Sequence, residues 1–354
     1  MSKRILYVGP TVDGGTSNQR MKALEMLGHI VTPIDSSILE NDSLWSRLRD
    51  RAAHCLFRKG LAIHLLDPGN VNNRILQEGT SEARWDLLWL DKPLVVYPET
   101  INKFCSTNPD AQVIVYSPDD MFARHNQSAQ FLSILPHIDC FITTKSFNVD
   151  ELKRLGCKIV LFIDNGYDPA THRPLKLEED DIKKFGGPVG FIGNFESERA
   201  LFMNFLAENG ISVRIWGPKD WKRFKSPHAN LRIEYREVLG DNYARAVSAF
   251  NINLCFLRKM NRDLQTTRSV EIPACSGFLL AERSSEHLRL FREDKEAAFF
   301  STREELLQKV NYYSKHRQER IKIARAGRMK CINSGYDYAS RLKGALEIME
   351  SKFR

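Results

Sequence analysis

The chain lacks any cysteine pairing pattern. Its seven cysteines, at positions 55, 105, 140, 157, 255, 275 and 331, are odd in number and scattered, with no C-x-x-C. Neither a zinc ribbon nor a disulfide framework is indicated, and reduced thiols are expected. No apolar run approaches the ~20 residues that a membrane helix needs. Met1-Ser2-Lys3-Arg4 leads directly into an apolar strand rather than a secretion signal, so a cytoplasmic protein is expected. G-x-G-x-x-G is missing too, which argues against a nicotinamide cofactor. Basic residues are spread out, without an interleaved aromatic platform, and this argues against nucleic acid.

What is present is ordinary in composition and uneven in charge. At 354 residues, with 42% hydrophobic and 27% charged residues, the chain is long enough for about two domains. Residues 1–170 hold 18 Lys+Arg against 20 Asp+Glu, whereas residues 171–354 hold 34 against 24. The net charge of +8 therefore comes from the second half. An anionic ligand or surface is expected there, such as a nucleoside diphosphate or an anionic membrane contacted peripherally.

Strand-like and helix-like segments alternate throughout, the pattern of parallel sheets covered by helices. Arg4-Ile5-Leu6-Tyr7-Val8-Gly9 is a continuous apolar run ending in glycine, as in a strand buried on both faces. The alternation pauses between residues 164 and 188, where Asn165-Gly166-Tyr167-Asp168-Pro169, an acidic run at 178–181 and Gly186-Gly187-Pro188 read as a linker. It then restarts and ends in helical segments near 304–315, 319–331 and 338–352. The expected division is a first domain at 1–165, a linker at 166–187, a second domain at 188–335 and a terminal helix at 336–354.

Residues 266–280 are the most informative stretch. Thr267, Arg268 and Glu271 open a short helix, with Arg268 and Glu271 three apart and hence on one face. Cys275-Ser276-Gly277 then stops it, and the apolar strand Phe278-Leu279-Leu280 follows. Glu271 interrupts an apolar run and is expected to be exposed or ligand-bound, because unpaired burial is costly. A local ion pair with Arg268 or Arg283 is the other option.

The wording T-x-R-x-x-E-x-x-A-x-x-G-F-L-L resembles the donor-nucleotide motif of the CgeB-like (spore-protein type) glycosyltransferases of group 1. The resemblance extends to Asp86-Leu87-Leu88-Trp89-Leu90-Asp91-Lys92, to Tyr116-Ser117-Pro118-Asp119-Asp120, and to Gly166-Tyr167-Asp168-Pro169 with His172. Phe191-Ile192-Gly193-Asn194 and Glu304-Glu305-Leu306-Leu307 continue it. Ser276 departs from it, standing where the family usually has glycine. The resemblance implies an α/β GT-B fold: two Rossmann-like, doubly wound domains facing a central cleft, with C-terminal helices returning to the first. It also implies a hexosyltransferase that retains the anomeric configuration, with Glu271 holding the ribose hydroxyls of the donor.

Glycosyl transfer must stabilise a departing diphosphate and activate an acceptor hydroxyl. No D-x-D pair exists to hold a divalent ion, so no metal and no cofactor are expected, the nucleotide sugar being a substrate. Arginines and backbone N–H groups must then carry the charge. The donor-site candidates are Gly193, Asn194, Arg199, Arg258, Arg262, Thr267, Arg268, Glu271 and Gly277. In the first half, Gly14 and Gly15 form a candidate phosphate or acceptor loop. Asp119 and Asp120, after an apolar strand, are the catalytic candidates for accepting the hydroxyl proton, or else one of them caps the next helix. The acceptor is left open among glycan, lipid-linked saccharide and protein. The competing readings are a nucleotide-sugar epimerase of the same fold and a non-catalytic sugar-nucleotide-binding protein.

Overall fold

The computed structural model describes residues 2–38, 43–61, 63–225 and 227–353. It divides into two compact units, Met1–Asp164 with Tyr338–Arg354, and Asn165–Asp337.

The first unit is a six-stranded parallel sheet in the order β2-β1-β3-β4-β5-β6. Its strands are β1 (Arg4–Gly9), β2 (Ile30–Asp35), β3 (Leu87–Asp91), β4 (Gln112–Ser117), β5 (Cys140–Thr143) and β6 (Ile159–Phe162). Its helices are α1 (Thr16–Met26), α2 (Leu44–Arg58), α3 (Val71–Gly79), α4 (Pro98–Thr107), α5 (Ala129–Ile134) and α6 (Asn148–Arg154). Strand alternation feeds two cores. Leu6, Val8, Leu88 and Leu90 face the one built with α3 to α6. Ile5, Tyr7, Leu87 and Trp89 face the other, which Leu342, Ala345, Leu346 and Met349 of the last helix complete.

Chain order reverses between β1 and β3, the kind of switch point at whose carboxyl edge open α/β sheets place ligands. Here the protein's own side chains fill it. Arg20 of α1 forks onto Asp91 at the end of β3, with Nε–Oδ2 at 2.8 Å and Nη2–Oδ1 at 3.0 Å. The Tyr7 hydroxyl lies 2.7 Å from Asp91 Oδ2 and 3.0 Å from Ser17 Oγ. Arg20, Ser17 and Asp91 are all buried. A Cβ on Gly9 would come within 2.8 Å of both Asp91 Cβ and Ser17 Oγ, so this packing requires the glycine that ends β1. Burial pulls the Arg20 guanidinium pKa down, but the adjacent Asp91 carboxylate together with Tyr116, Tyr7 and Tyr338 outweighs it and raises it above its ordinary value.

The second unit repeats the plan in the order β12-β11-β10-β7-β8-β9. Its strands are β7 (Gly187–Ile192), β8 (Val213–Trp216), β9 (Leu231–Ile233), β10 (Phe250–Cys255), β11 (Leu279–Glu282) and β12 (Ala298–Phe300). Its helices are α7 (Glu179–Phe185), α8 (Ser197–Glu208), α9 (Asp241–Ala249), α10 (Arg268–Ala274), α11 (Ser285–Leu290), α12 (Arg303–Lys315) and α13 (Arg317–Asn333). The terminal helix α14 (Tyr338–Phe353) belongs to the first unit. The switch point lies between the adjacent strands β7 and β10.

Two details differ from the sequence reading. The acidic run expected to be linker opens α7 instead. Glu178 and Asp181 form a capping box, Glu179, Asp180 and Asp181 occupy the first turn, and Lys183 and Lys184 the last. Charges so placed favour a helix over a loop. The segment before it is packed rather than extended: Tyr167 is buried, and its N–H donates to Tyr336 O at 3.1 Å.

Candidate functional site

The carboxyl ends of β7 and β10 and the start of α10 enclose a cavity of about 180 Å³. Gly193, the first residue after β7, donates its N–H to Trp216 O at 2.9 Å and accepts from Trp221 Nε1 at 2.9 Å. A Cβ there would come within 2.9 Å of the Phe191 ring. The turn is therefore fixed by backbone pairing and needs a glycine. A second recess of about 40 Å³ adjoins it, sharing Gly193, Asn194 and Arg268 and reaching Gly217 and Val238.

Three arginines and no carboxylate line the larger cavity: Arg199, Arg258 and Arg268. Their counter-charges stand outside the lining. Glu196 serves two of them, with Oε1 at 2.9 Å from Arg258 Nε and Oε2 at 3.0 Å from Arg199 Nη2. The second contact has ion-pair distance without hydrogen-bond geometry, so Arg199 Nε and Nη2 keep unused donors although the residue is buried. Burial pulls the Arg199 pKa below its ordinary value, and Glu196 opposes this only in part.

Arg268 pairs with Glu271 one turn along α10, donates from Nε to Ile192 O at 3.3 Å, and lies 4.7 Å from the centre of the Tyr243 ring. Glu271 is 1% exposed, and His172 Nε2 stands 3.7 Å from its Oε1. The Asp168 N–H donates to His172 Nδ1 at 3.0 Å, which assigns the imidazole proton to Nε2, facing the carboxylate. Burial pushes the Glu271 carboxyl up, but the Arg268 guanidinium and His172 outweigh it and hold it below its usual value. Burial pulls His172 down despite Glu271.

The donor residues read from sequence divide into three groups. Gly193, Asn194, Arg199, Arg258, Thr267 and Arg268 all line the cavity. Glu271, expected to be exposed, ligand-bound or paired with Arg268 or Arg283, is not exposed: it is buried behind Arg268 and paired with it. Arg262 and Gly277 lie elsewhere. Arg262 is exposed and left-handed (φ 46°) after the short turn Lys259–Asn261, which carries it off the lining. Gly277 precedes β11 and so sits at the amino edge of the sheet, where a Cβ would meet Val247 Cγ1 at 2.6 Å. Its smallness serves packing between α9 and the sheet, not approach to a ligand at the carboxyl edge.

The first-unit candidates are also told apart. Asp120 is fully buried, and its Oδ1 accepts from Asn148 Nδ2 at 2.8 Å and the Phe122 N–H at 3.1 Å. That is a turn-holding role, and it leaves the carboxylate no access to an acceptor. Asp119 is 22% exposed and ion-paired with Lys92. Gly14 takes φ 77°, and the Gly15 N–H closes a turn onto Val12 O at 3.0 Å before α1 begins.

Sequence reasoning missed Glu196 and Glu282. The latter ends β11, accepts from the Leu257 N–H at 3.0 Å and pairs with Lys259, fixing the loop that carries Arg258. Its place at a strand's carboxyl end was the available signal. Among the described residues, no group of three or more His, Cys, Asp or Glu is arranged to hold a metal ion, and no helix is long and apolar enough to cross a membrane.

Residues 199–347 match a family model described as Glycosyl transferase-like. Over nearly its whole length the chain also superposes on solved glycosyltransferase structures. The chain has the GT-B fold. Sucrose-phosphate synthase from Thermosynechococcus elongatus aligns at a TM-score of 0.65 and 11% identity, covering 99% of this chain and 100% of that one. An alpha-glucosyltransferase in complex with UDP-glucose and DNA containing an abasic site gives 0.65 and 14%, covering 99% of each. The Anabaena protein HepE in complex with UDP-glucose gives 0.63 and 11%, covering 99% and 100%. No curated protein matches by sequence. At these identities the structures establish the GT-B fold alone, and the family model, which covers less than half of the chain, marks residues 199–347 as similar to a glycosyl transferase-like segment. Within that fold the matched segment contains the arginines and α10, but begins after Gly193 and Asn194.

Proposed function

We propose that the protein is a group 1 glycosyltransferase of the CgeB-like type, moving a hexose from a nucleoside-diphosphate sugar to an acceptor hydroxyl without a metal and with retention. The observation that carries this reading is the cavity at the β7/β10 switch point, lined by three guanidinium groups and no carboxylate. A diphosphate leaving group gathers negative charge as the glycosidic bond breaks. Preorganised cations in a partly enclosed site stabilise that charge more than they stabilise the bound donor, which is what accelerates the step. Guanidinium forks suit phosphate oxygens, and the unused Arg199 donors are available to them. The narrow recess toward Gly217 and Val238 extends the site beyond the arginines, as a nucleoside would require.

Glu271 holds Arg268 in place and, on this reading, exchanges part of that pairing for the ribose hydroxyls of the donor. Asp119 is the acid–base candidate that remains, since Asp120 is fully buried. Retention rests on the sequence resemblance alone. UDP-glucose, present in two of the similar structures, makes UDP-hexoses the first donors to assay.

The test is donor turnover with and without a panel of hydroxyl acceptors, with product anomers read by NMR. Acceptor-dependent transfer that survives EDTA supports the proposal. Donor inversion or hydrolysis indifferent to acceptor would point to an epimerase, and EDTA-sensitive transfer restored by a divalent ion would overturn the arginine-based account. If Asp119→Asn keeps near-wild-type turnover with an authentic acceptor, its acid–base role is wrong; the proposal expects a loss of ~100-fold.

A further inference from the structure

The second unit has a second basic cavity, of about 290 Å³, at the opposite edge of its sheet. It is built where β10 begins, at Phe250 and Asn251, where the chain enters β11, at Ser276 and Phe278, and along one face of α13. Residues 252–254 of β10 lie between the nearest lining residues of the two cavities on that strand, Asn251 and Cys255, roughly 13 Å apart at ~3.3 Å per residue. The two are distinct sites.

Arg317, Arg320 and Arg325 project into it from α13, at helical spacings of three and five, and no acidic side chain lines it. Arg320 is the unusual group. Four arginines of the described chain are buried: Arg20, Arg199, Arg214 and Arg320. Arg20 has Asp91 at 2.8 Å, Arg199 has Glu196 at 3.0 Å, and Arg214 has Glu234 at 2.8 Å. Arg320 has no carboxylate among the described residues. It donates only to neutral oxygens, Tyr313 O at 2.6 Å and Asn251 Oδ1 at 3.2 Å. The one acid of α13, Glu319, is turned away and accepts from the Tyr312 hydroxyl at 2.8 Å. Burying a guanidinium is costly unless an opposite charge accompanies it. Arg317 adds a like charge instead of relieving it; burial and Arg317 together pull the Arg320 pKa below its ordinary value. The Ser248 hydroxyl on the same wall is enclosed and has no hydrogen-bond partner.

We propose that this cavity is a second anion site, taking the phosphate of a phosphomonoester against Arg317, Arg320 and Arg325 with Ser248 as a further donor. A dianionic phosphate has three acceptor oxygens, enough to engage several guanidinium forks at once, which one carboxylate cannot match. Phe250, Phe278 and Ile321 line the remaining wall and offer apolar contact to the carbon part of the ligand. The site rests on the arginines of α13, not on the donor reading of the β7/β10 cavity.

Arg317 and Arg325 are exposed, so replacing them should leave the fold intact. Calorimetric titration of the full chain with glycerol 3-phosphate, and co-sedimentation with phosphatidic acid vesicles against phosphatidylcholine controls, distinguish a soluble phosphomonoester from a lipid headgroup. Arg317→Ala with Arg325→Ala is expected to weaken binding of whichever probe binds by at least ~10-fold, while Arg268→Ala leaves it unchanged. Binding of neither probe would overturn the proposal. So would binding that disappears in Arg268→Ala and persists in the double variant, because the phosphate would then sit in the β7/β10 cavity.

Discussion

At the carboxyl ends of β1 and β3 the chain packs Arg20 against Asp91 and buries both; at the corresponding ends of β7 and β10 it sets three arginines around a cavity. The two sheets share a plan, since each begins with a strand that sends its successor to one side and then crosses to the other. Topology alone supplies a crevice at both places. What differs is how charge is balanced. In the first unit one guanidinium meets one carboxylate in forked geometry, the Tyr7 hydroxyl bonds the same carboxylate, and Arg20 Nη1 alone is left without a hydrogen bond. In the second, three guanidinium groups share Glu196 and Glu271, both outside the cavity lining, and Arg199 retains unused donors. A self-neutralised switch point stabilises the fold; an incompletely neutralised one is suited to an anionic ligand.

The largest effect should come from breaking the closed end of this comparison. Asp91→Ala strands a buried guanidinium and is expected to cost ~3–5 kcal/mol in urea unfolding, with UDP affinity of the folded fraction unchanged. A loss under 1 kcal/mol would mean that the pair is not what closes the first switch point. Arg268→Ala, at the open end, should act chiefly on turnover, which is expected to fall ~100- to 1,000-fold, the scale for removing one preorganised charge-stabilising donor. It also leaves the buried Glu271 carboxylate with only His172 beside it as a counter-charge, so its stability loss should approach that of Asp91→Ala.

Acid sharpens the contrast through α10. His287 is fully buried beneath it, with Nε2 at 2.7 Å from Ser269 Oγ and Nδ1 at 2.7 Å from Glu282 O, and burial pushes its pKa down to about 4. An unfolded histidine titrates near 6.5, so between these values the unfolded chain binds the extra proton. Stability is then complete above about pH 6.5 and falls as pH drops toward 4. Between pH 7 and pH 5 the second unit should lose about 2 kcal/mol on this account, and His287→Gln should flatten the dependence. A wild-type profile as flat as the variant's would contradict the buried neutral imidazole.

Much of the fold was legible because buried parallel strands are written as short apolar runs such as Ile5-Leu6-Tyr7-Val8, and the alternation of strands and helices repeats. The α7 helix was not, because an acidic run looks like linker until its position in a first turn is known. That Arg199, Arg258 and Arg268 share one cavity was legible because strand ends mark the carboxyl edge. Gly277 was misplaced because contiguity in sequence was taken as contiguity in space. Seven helical residues, about 10 Å at 1.5 Å each, carry the motif from one edge of the sheet toward the other. The burial of Glu271 depended on His172 and Tyr243, 99 and 28 positions away, and the Arg20–Asp91 pair spans 71. Nothing in a local pattern reports such partners.

The most direct measurement is calorimetric titration of UDP into the wild-type chain and into Arg258→Ala with Arg268→Ala. The account predicts one UDP per chain with wild type, and affinity at least ~10-fold weaker in a folded double variant. Unchanged affinity in that variant, or no binding to wild type, would contradict the assignment of the open switch point as the donor site.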